Sequence, residues 1–197
     1  MSRCRRRNYH LRRRWGRTIG MPVLWSYMPI RTATEDDTDA ILQIAQQSWK
    51  TDYPEILTRE TAEEAVTDWY TPEQIVAELH KSQARILVAE REDTVIGFAH
   101  ATWNNTEGEG YILRIYVHPE HRRENVGREL LEQTCAGLAE QGIERINAMV
   151  LVENKPGNAF YERFGFEHAD ERETIIGDEP HPENRYVLER PFELDGD

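Results

Sequence analysis

The stretch "VHPEHRRENVGRELLE", Val117 to Glu132, decides how the chain is read. A short apolar strand end runs into a His-Pro turn, two arginines and a segment with helical periodicity. The start of a helix offers unpaired N–H groups and a partial positive charge, so it suits a pyrophosphate. Arg122, Arg123 and Arg128 add three cations there, in a chain whose formal net charge is −12. Asn125 stands where a phosphate-binding turn most favours glycine. A basic turn before an ordinary helix is common, so the motif alone leaves both readings open.

The flanking sequence supplies context. "YILRIYV" reads as the strand leading in. A helix over about 125–141 carries Val126, Leu130, Thr134 and Leu138 on one face, and Gly142 stops it. "RINAMVLV" is the next strand, "NKPGNAFYERF" a short helix closed by Gly165, and Phe166 to Pro191 holds two more strands. Upstream, "ARILVAERE" and "TVIGFAHATW" form a hairpin across a charged turn. A short strand over Pro29–Ala33 precedes a helix capped at Thr34, with Ile41, Leu42, Ala45 and Trp49 at helical spacing. Pro54 breaks that pattern, and helical pieces over 58–69 and 72–82 follow, the second entered through Thr71 and Pro72. Interleaved helices and strands without a repeat predict an α/β single domain: a mixed sheet of six to seven strands with helices on both faces.

After the second strand comes "NKPGNAFYERFGFE", Asn154 to Glu167. This succession resembles the GCN5-related N-acetyltransferase (GNAT) family. Its acetyl-coenzyme A loop has the pattern Arg/Gln-x-x-Gly-x-Gly/Ala, and a downstream Asn and Tyr-x-x-x-Gly-Phe close the cofactor site. Here the first pattern falls on Arg122-Arg123-Glu124-Asn125-Val126-Gly127, the second on Asn154 and Tyr161 to Phe166. The resemblance covers about residues 29–191. Asn125 departs from it, yet asparagine is the residue after glycine most tolerant of positive φ, and it can cap a helix. The turn is expected to survive with weaker or reshaped pyrophosphate contacts, so Asn125→Gly is expected to alter coenzyme affinity.

The resemblance implies transfer of an acetyl group from acetyl-coenzyme A, as co-substrate and without a metal, to a primary amine of a small molecule or protein. Attack is direct, in a ternary complex. It also implies that Leu113–Val117 splays from its neighbour and pairs with the pantetheine arm, with a main-chain N–H at Ile115 or Tyr116 polarising the thioester. Ile115, Tyr116, Val117, Arg122 to Arg128, Asn154 and Tyr161 then form the coenzyme site. Tyr161 is the candidate acid for the departing thiolate; a phenol near pKa 10 facing a thiol of about 8.5 makes that transfer feasible but mildly uphill. Phe160 and Phe164 share one helix face, with Tyr161 turned about 100° from it. Many relatives carry the base early in the lead-in strand, where Tyr111 stands here; Glu107 and Glu109 lie just upstream, to act directly or through a water or as solvated loop charges, and the base is assigned to Glu109. The acceptor wall draws on Trp49, Tyr53, Trp69 and Tyr70, with Trp103 across the cleft; Trp49, Tyr53 and Trp103 are the substrate candidates, and core packing is the competing reading for Trp49.

Composition bounds the alternatives. At 197 residues, 39% hydrophobic and 30% charged, the chain fits one soluble domain and lacks the roughly 18-residue apolar run of a membrane span. Cys4 and Cys135 make no metal spacing, which suits a reducing cytoplasm. Residues 1–27 hold eight arginines and no acid, leaving 16 basic residues against 36 acidic ones in the rest, a net of −20. With three lysines in all, that body resembles proteins of salt-loving organisms, an archaeon being the expected source, where screening offsets self-repulsion. The head reads as a basic extension, disordered or an upstream translation start, ahead of a domain over 28–192 and an acidic tail over 193–197. A nucleic-acid arm is the disfavoured reading. HExxH, GxGxxG, GxSxG and GxxxxGK[ST] are absent. The competing class is an acyl-coenzyme A-binding regulatory module without turnover; a homodimer is left open.

Overall fold

The computed structural model describes residues 28–53, 57, 58, 61 and 70–190. The arginine-rich head, the helical piece expected over 58–69, Trp69 and the acidic tail lie outside these or nearly so. The strands are β1 (Ile30–Thr32), β2 (Ala84–Arg91), β3 (Thr94–Asn104), β4 (Glu109–Val117), β5 (Arg145–Leu151), β6 (Glu167–Ile176) and β7 (Glu179–Glu189). Among the described residues the helices of four or more residues are α1 (Thr38–Asp52), α2 (Pro72–Leu79), α3 (Val126–Glu140) and α4 (Lys155–Arg163). The sheet order is β1-β2-β3-β4-β5-β7-β6. Every neighbouring pair is antiparallel except β4 with β5. The expected mixed sheet is therefore present with seven strands.

Local chemistry sets the boundaries. Thr34 and Asp37 form a capping box, so a 3-10 turn over Glu35–Asp37 leads into α1. Thr71 accepts from the Gln74 amide ahead of Pro72, which starts α2. The β2–β3 hairpin turns through Glu92 and Asp93, both at positive φ, as a two-residue turn matched to strand twist requires. On one sheet face Ile41, Trp49, Tyr53, Tyr70, Ile75, Phe98, Leu151 and Ile176 pack together. On the other, Leu131, Cys135, Leu138, Ile146, Tyr161, Phe164 and Tyr186 do so. All four residues of the α3 stripe are buried.

What positions the site is β4. Its pairing with β5 runs only from Glu109 opposite Arg145 to Ile112 opposite Ala148. On its other side the register with β3 slips at the same place: Ala101 faces Ile112, His100 faces Arg114, and Leu113 has no partner. A bulge sharpens the local bend and twist, so β4 leaves β5 where its own ladder is interrupted. Leu113, a large apolar side chain, is 47% exposed at that point.

Candidate active site

Beyond Ile112 the parted strands open a cleft of about 1010 Å³. Leu113 to Val117 line one wall, Met149 to Leu151 the other, and α4 with Tyr161 closes one end. The turn ahead of α3 forms the mouth. Ile115, Tyr116, Val117, Arg122, Arg123, Asn125, Val126, Gly127, Arg128, Asn154 and Tyr161 all border this one space. Of the expected coenzyme residues, Glu124 alone is not among its lining: its carboxylate pairs with Arg91 and lies 3.4 Å from His121 Nδ1.

Arg123 and Asn125 both take the left-handed conformation at φ 64°. Asn125 occupies the N-cap position of α3 but makes no side-chain capping bond, so its value lies in the backbone shape it tolerates, not in the expected cap. Because it already holds the conformation a glycine would give, the change in coenzyme affinity expected for Asn125→Gly becomes small. The first helical bond runs from the Glu129 amide to the Asn125 carbonyl at 3.0 Å, which leaves the Val126 and Gly127 amides ahead of that ladder. A Cβ on Gly127 would reach only ordinary contact, 3.4 Å from Phe160 Cε2 and 3.7 Å from Val117 Cγ2. Protein packing does not demand glycine there, and the bare backbone keeps an approach open. These features fit a pyrophosphate.

The three arginines are not equivalent. Arg122 is held bidentately by Asp52, at 2.6 and 2.8 Å, and donates from Nε to the Val117 carbonyl. Its charge is therefore neutralised by the end of α1, contrary to the sequence-based picture of three available cations. Arg128 bonds Glu132 one turn on, at 2.7 Å. Arg123 is exposed and forms no ion pair among the described residues. Arg163 adds a further guanidinium to the lining.

Tyr161 is both a core aromatic and a cleft residue. It packs against Phe160, Phe166 and Tyr186 and borders the cleft. Burial, with smaller contributions from Cys135 and Tyr116, holds its phenol well above the ordinary value. It stays protonated at neutral pH, as a donor must, and what it offers first is a hydrogen bond to charge developing on sulfur. Asn154 caps α4 by accepting from the Gly157 amide at 3.0 Å. Below these, Trp49 stacks on Tyr53 with centroids 4.3 Å apart and donates its indole N–H to the Tyr116 hydroxyl at 3.0 Å. Burial keeps the phenols of Tyr53 and Tyr70 protonated.

Two sequence-based assignments are not brought to the cleft. Glu109 accepts from the Tyr111 hydroxyl at 2.6 Å and from Arg145 at 3.2 Å, and does not line the cleft. The Tyr111 bond, then Arg145, holds its carboxyl below the usual value, which weakens it as a base; that assignment is dropped. Trp103 packs with Leu131, Cys135 and Leu138 on the face away from Trp49, so it forms no acceptor wall: alternation along β3 sends its side chain to the α3 side.

Sequence reading missed a polar group beside the acceptor wall. Arg114 lies 4.4 Å from the Tyr70 ring centroid and 3.2 Å from His100 Nδ1. Arginine can only donate, so Nδ1 accepts and the imidazole proton sits on Nε2. That atom is 3.5 Å from Glu78 Oε2. Burial, then Arg114, pushes His100 down to about 4. The bulge at Leu113 places Arg114 opposite His100, a register no spacing in the sequence announces.

The family model for the acetyltransferase (GNAT) family matches residues 39–166. A spermidine N(1)-acetyltransferase of Thermoplasma acidophilum is 28% identical over 145 residues, 72% of this chain and 89% of that protein. Among solved structures, the PaiA N-acetyltransferase of the same organism in complex with coenzyme A superposes with a TM-score of 0.72 at 24% identity, covering 82% of this chain and 98% of that one. The ribosomal-protein-S18-alanine N-acetyltransferase of Escherichia coli gives 0.64 at 19% identity, with 86% and 97% covered.

Proposed function

The chain belongs to the GNAT family of acetyltransferases and transfers an acetyl group from acetyl-coenzyme A to an amine, and we propose that its acceptor is a small polyamine-like primary amine taken directly in a ternary complex. The observation that carries the reading is the coincidence at Leu113 of the β4–β5 parting and the β3–β4 bulge, between the left-handed turn and Tyr161. The named activity of the relative from Thermoplasma acidophilum supports the acceptor class. The acidic body, at −20 outside residues 1–27, supports a host with high internal salt, and two cysteines without metal spacing support a cytoplasmic setting.

Acetyl-coenzyme A, when bound, supplies the activated acyl group. The Val126 and Gly127 amides and Arg123 receive its phosphates. Leu113 to Val117 present main-chain groups that β5 does not use, and an N–H at Ile115 or Tyr116 donates to the oxygen that gains charge. Tyr161 donates to the departing sulfur. Trp49, Tyr53 and Tyr70 line the acceptor side.

Thiol release measured with acetyl-coenzyme A across an amine panel tests the reading, with spermidine expected among the best acceptors. Tight coenzyme binding without release on any amine would instead make the chain a regulatory module. Tyr161→Phe should lower turnover at least about tenfold while coenzyme affinity stays put; equal turnover removes Tyr161 from the mechanism.

A further inference from the structure

Among the described residues three carboxylates line the cleft: Asp52, Glu78 and Glu183. Two are already compensated. Asp52 is held by both arms of Arg122, and the charge of Glu78 is met by Lys81, bonded to Oε1 at 2.6 Å, while Oε2 lies 3.5 Å from His100 Nε2. The Glu183 carboxylate has no hydrogen bond and no ion pair with any described residue. Its cross-strand neighbour Arg172 is bonded to Asp170 at 3.0 Å.

The register of β7 fixes where Glu183 points. It stands directly opposite Leu151, and directly opposed residues share a sheet face. Leu151 packs with Trp49, Tyr53, Tyr70 and Ile176, so Glu183 lies on the acceptor face, at the far edge of the opening from α2. We infer that Glu183 is a specificity-determining residue that binds the distal ammonium group of a polycationic acceptor while another amine of the same molecule is acetylated. The inference rests on the acceptor class proposed above and names the group that would read it.

The energetics favour an incoming cation. Burial raises the Glu183 carboxyl above its ordinary value, and Arg172 offsets only part of that. A half-buried carboxylate without a partner among the described residues is a charge in want of compensation, and an ammonium supplies it with a charge-assisted hydrogen bond.

The test compares spermidine with propylamine, which has no second cation, on the wild-type protein, Glu183→Gln and Glu183→Asp. Glu183→Gln should raise KM for spermidine about tenfold, the share of one charge-assisted hydrogen bond. KM for propylamine and kcat for both amines should hold, Glu183→Asp should recover part of the spermidine affinity, and the spermidine effect should shrink with added salt. Unchanged thermal melts will separate a binding effect from misfolding, and since the Glu183 carboxylate bonds no described residue the Gln variant breaks no contact among them. Equal effects on the two amines, or none on either, overturn the role of Glu183 while leaving the acceptor class intact. A wild-type protein that acetylates propylamine and ignores spermidine refutes the acceptor class and this inference with it.

Discussion

Replacing Asn125 by alanine separates the shape of the phosphate turn from the chemistry of its side chain. Asn125 sits at φ 64° and ψ 5° with no side-chain capping bond, so the substitution removes no hydrogen bond within the protein. It removes tolerance of the left-handed region, which costs an ordinary L-residue roughly 1–2 kcal/mol and asparagine less. Stability should fall by about 1 kcal/mol, a drop in Tm of about 2–4 °C at this chain length. Asn125→Gly relieves the strain but gains freedom in the unfolded chain, worth about 0.4–1 kcal/mol in the other direction, so its Tm should stay near wild type. Binding is the sharper readout. If the relaxed turn withdraws one amide from the pyrophosphate, a hydrogen bond to a charged group worth about 1.5–3 kcal/mol is lost, which weakens coenzyme A binding at least about tenfold. Calorimetric titration of the three proteins with coenzyme A measures this, with the glycine variant expected within about threefold of wild type. An alanine variant that melts lower yet binds coenzyme A as well as wild type would refute the assignment of the turn as the pyrophosphate cradle.

Two further outcomes follow from ion pairs at the cleft and at the start of α1. Asp52→Asn frees a guanidinium that lines the cleft, so coenzyme A should bind about three- to tenfold tighter at low salt, with the gain fading as ionic strength rises; unchanged titrations would place Arg122 away from the phosphates. Asp37 accepts from Arg31 at 2.7 and 2.8 Å and from the Thr34 amide at 2.8 Å, and Arg31 foremost holds its carboxyl below the usual 3.8. Its stabilisation is complete above that value and is lost as pH falls through the lower folded one. Asp37→Asn should therefore cost about 1–2 kcal/mol at neutral pH, kept modest because Arg31 is 40% exposed. Denaturation curves of the two proteins should converge in strong acid; a gap that persists there contradicts the linkage.

Much of this protein is written in its sequence. The α3 stripe of Val126, Leu130, Thr134 and Leu138, the caps at Thr34 and Thr71, and the stop at Gly142 each act within a few residues. Local steric and hydrogen-bonding rules fix them before any long-range contact forms. The same holds for Asn125, whose tolerance of positive φ is intrinsic; Tyr161, though one step round a short helix from Phe160, is the buried one of the two because Phe166 and Tyr186 pack on it, which helix phase does not set. What the sequence could not set was register and pairing. Whether Trp103 faces the acceptor or the core depends on which strand β3 meets and in which phase, since a one-residue slip reverses every side chain. Arg122 looks like a phosphate ligand until the end of α1 brings Asp52 beside it, 70 residues away in the chain. Glu109 is one acid among many until Tyr111 and Arg145 engage it. Glu183 carries no local signal; its place opposite Leu151 comes from β7 inserting between β5 and β6. Which charges are satisfied, and which still want a partner, was decided only when distant strands came together.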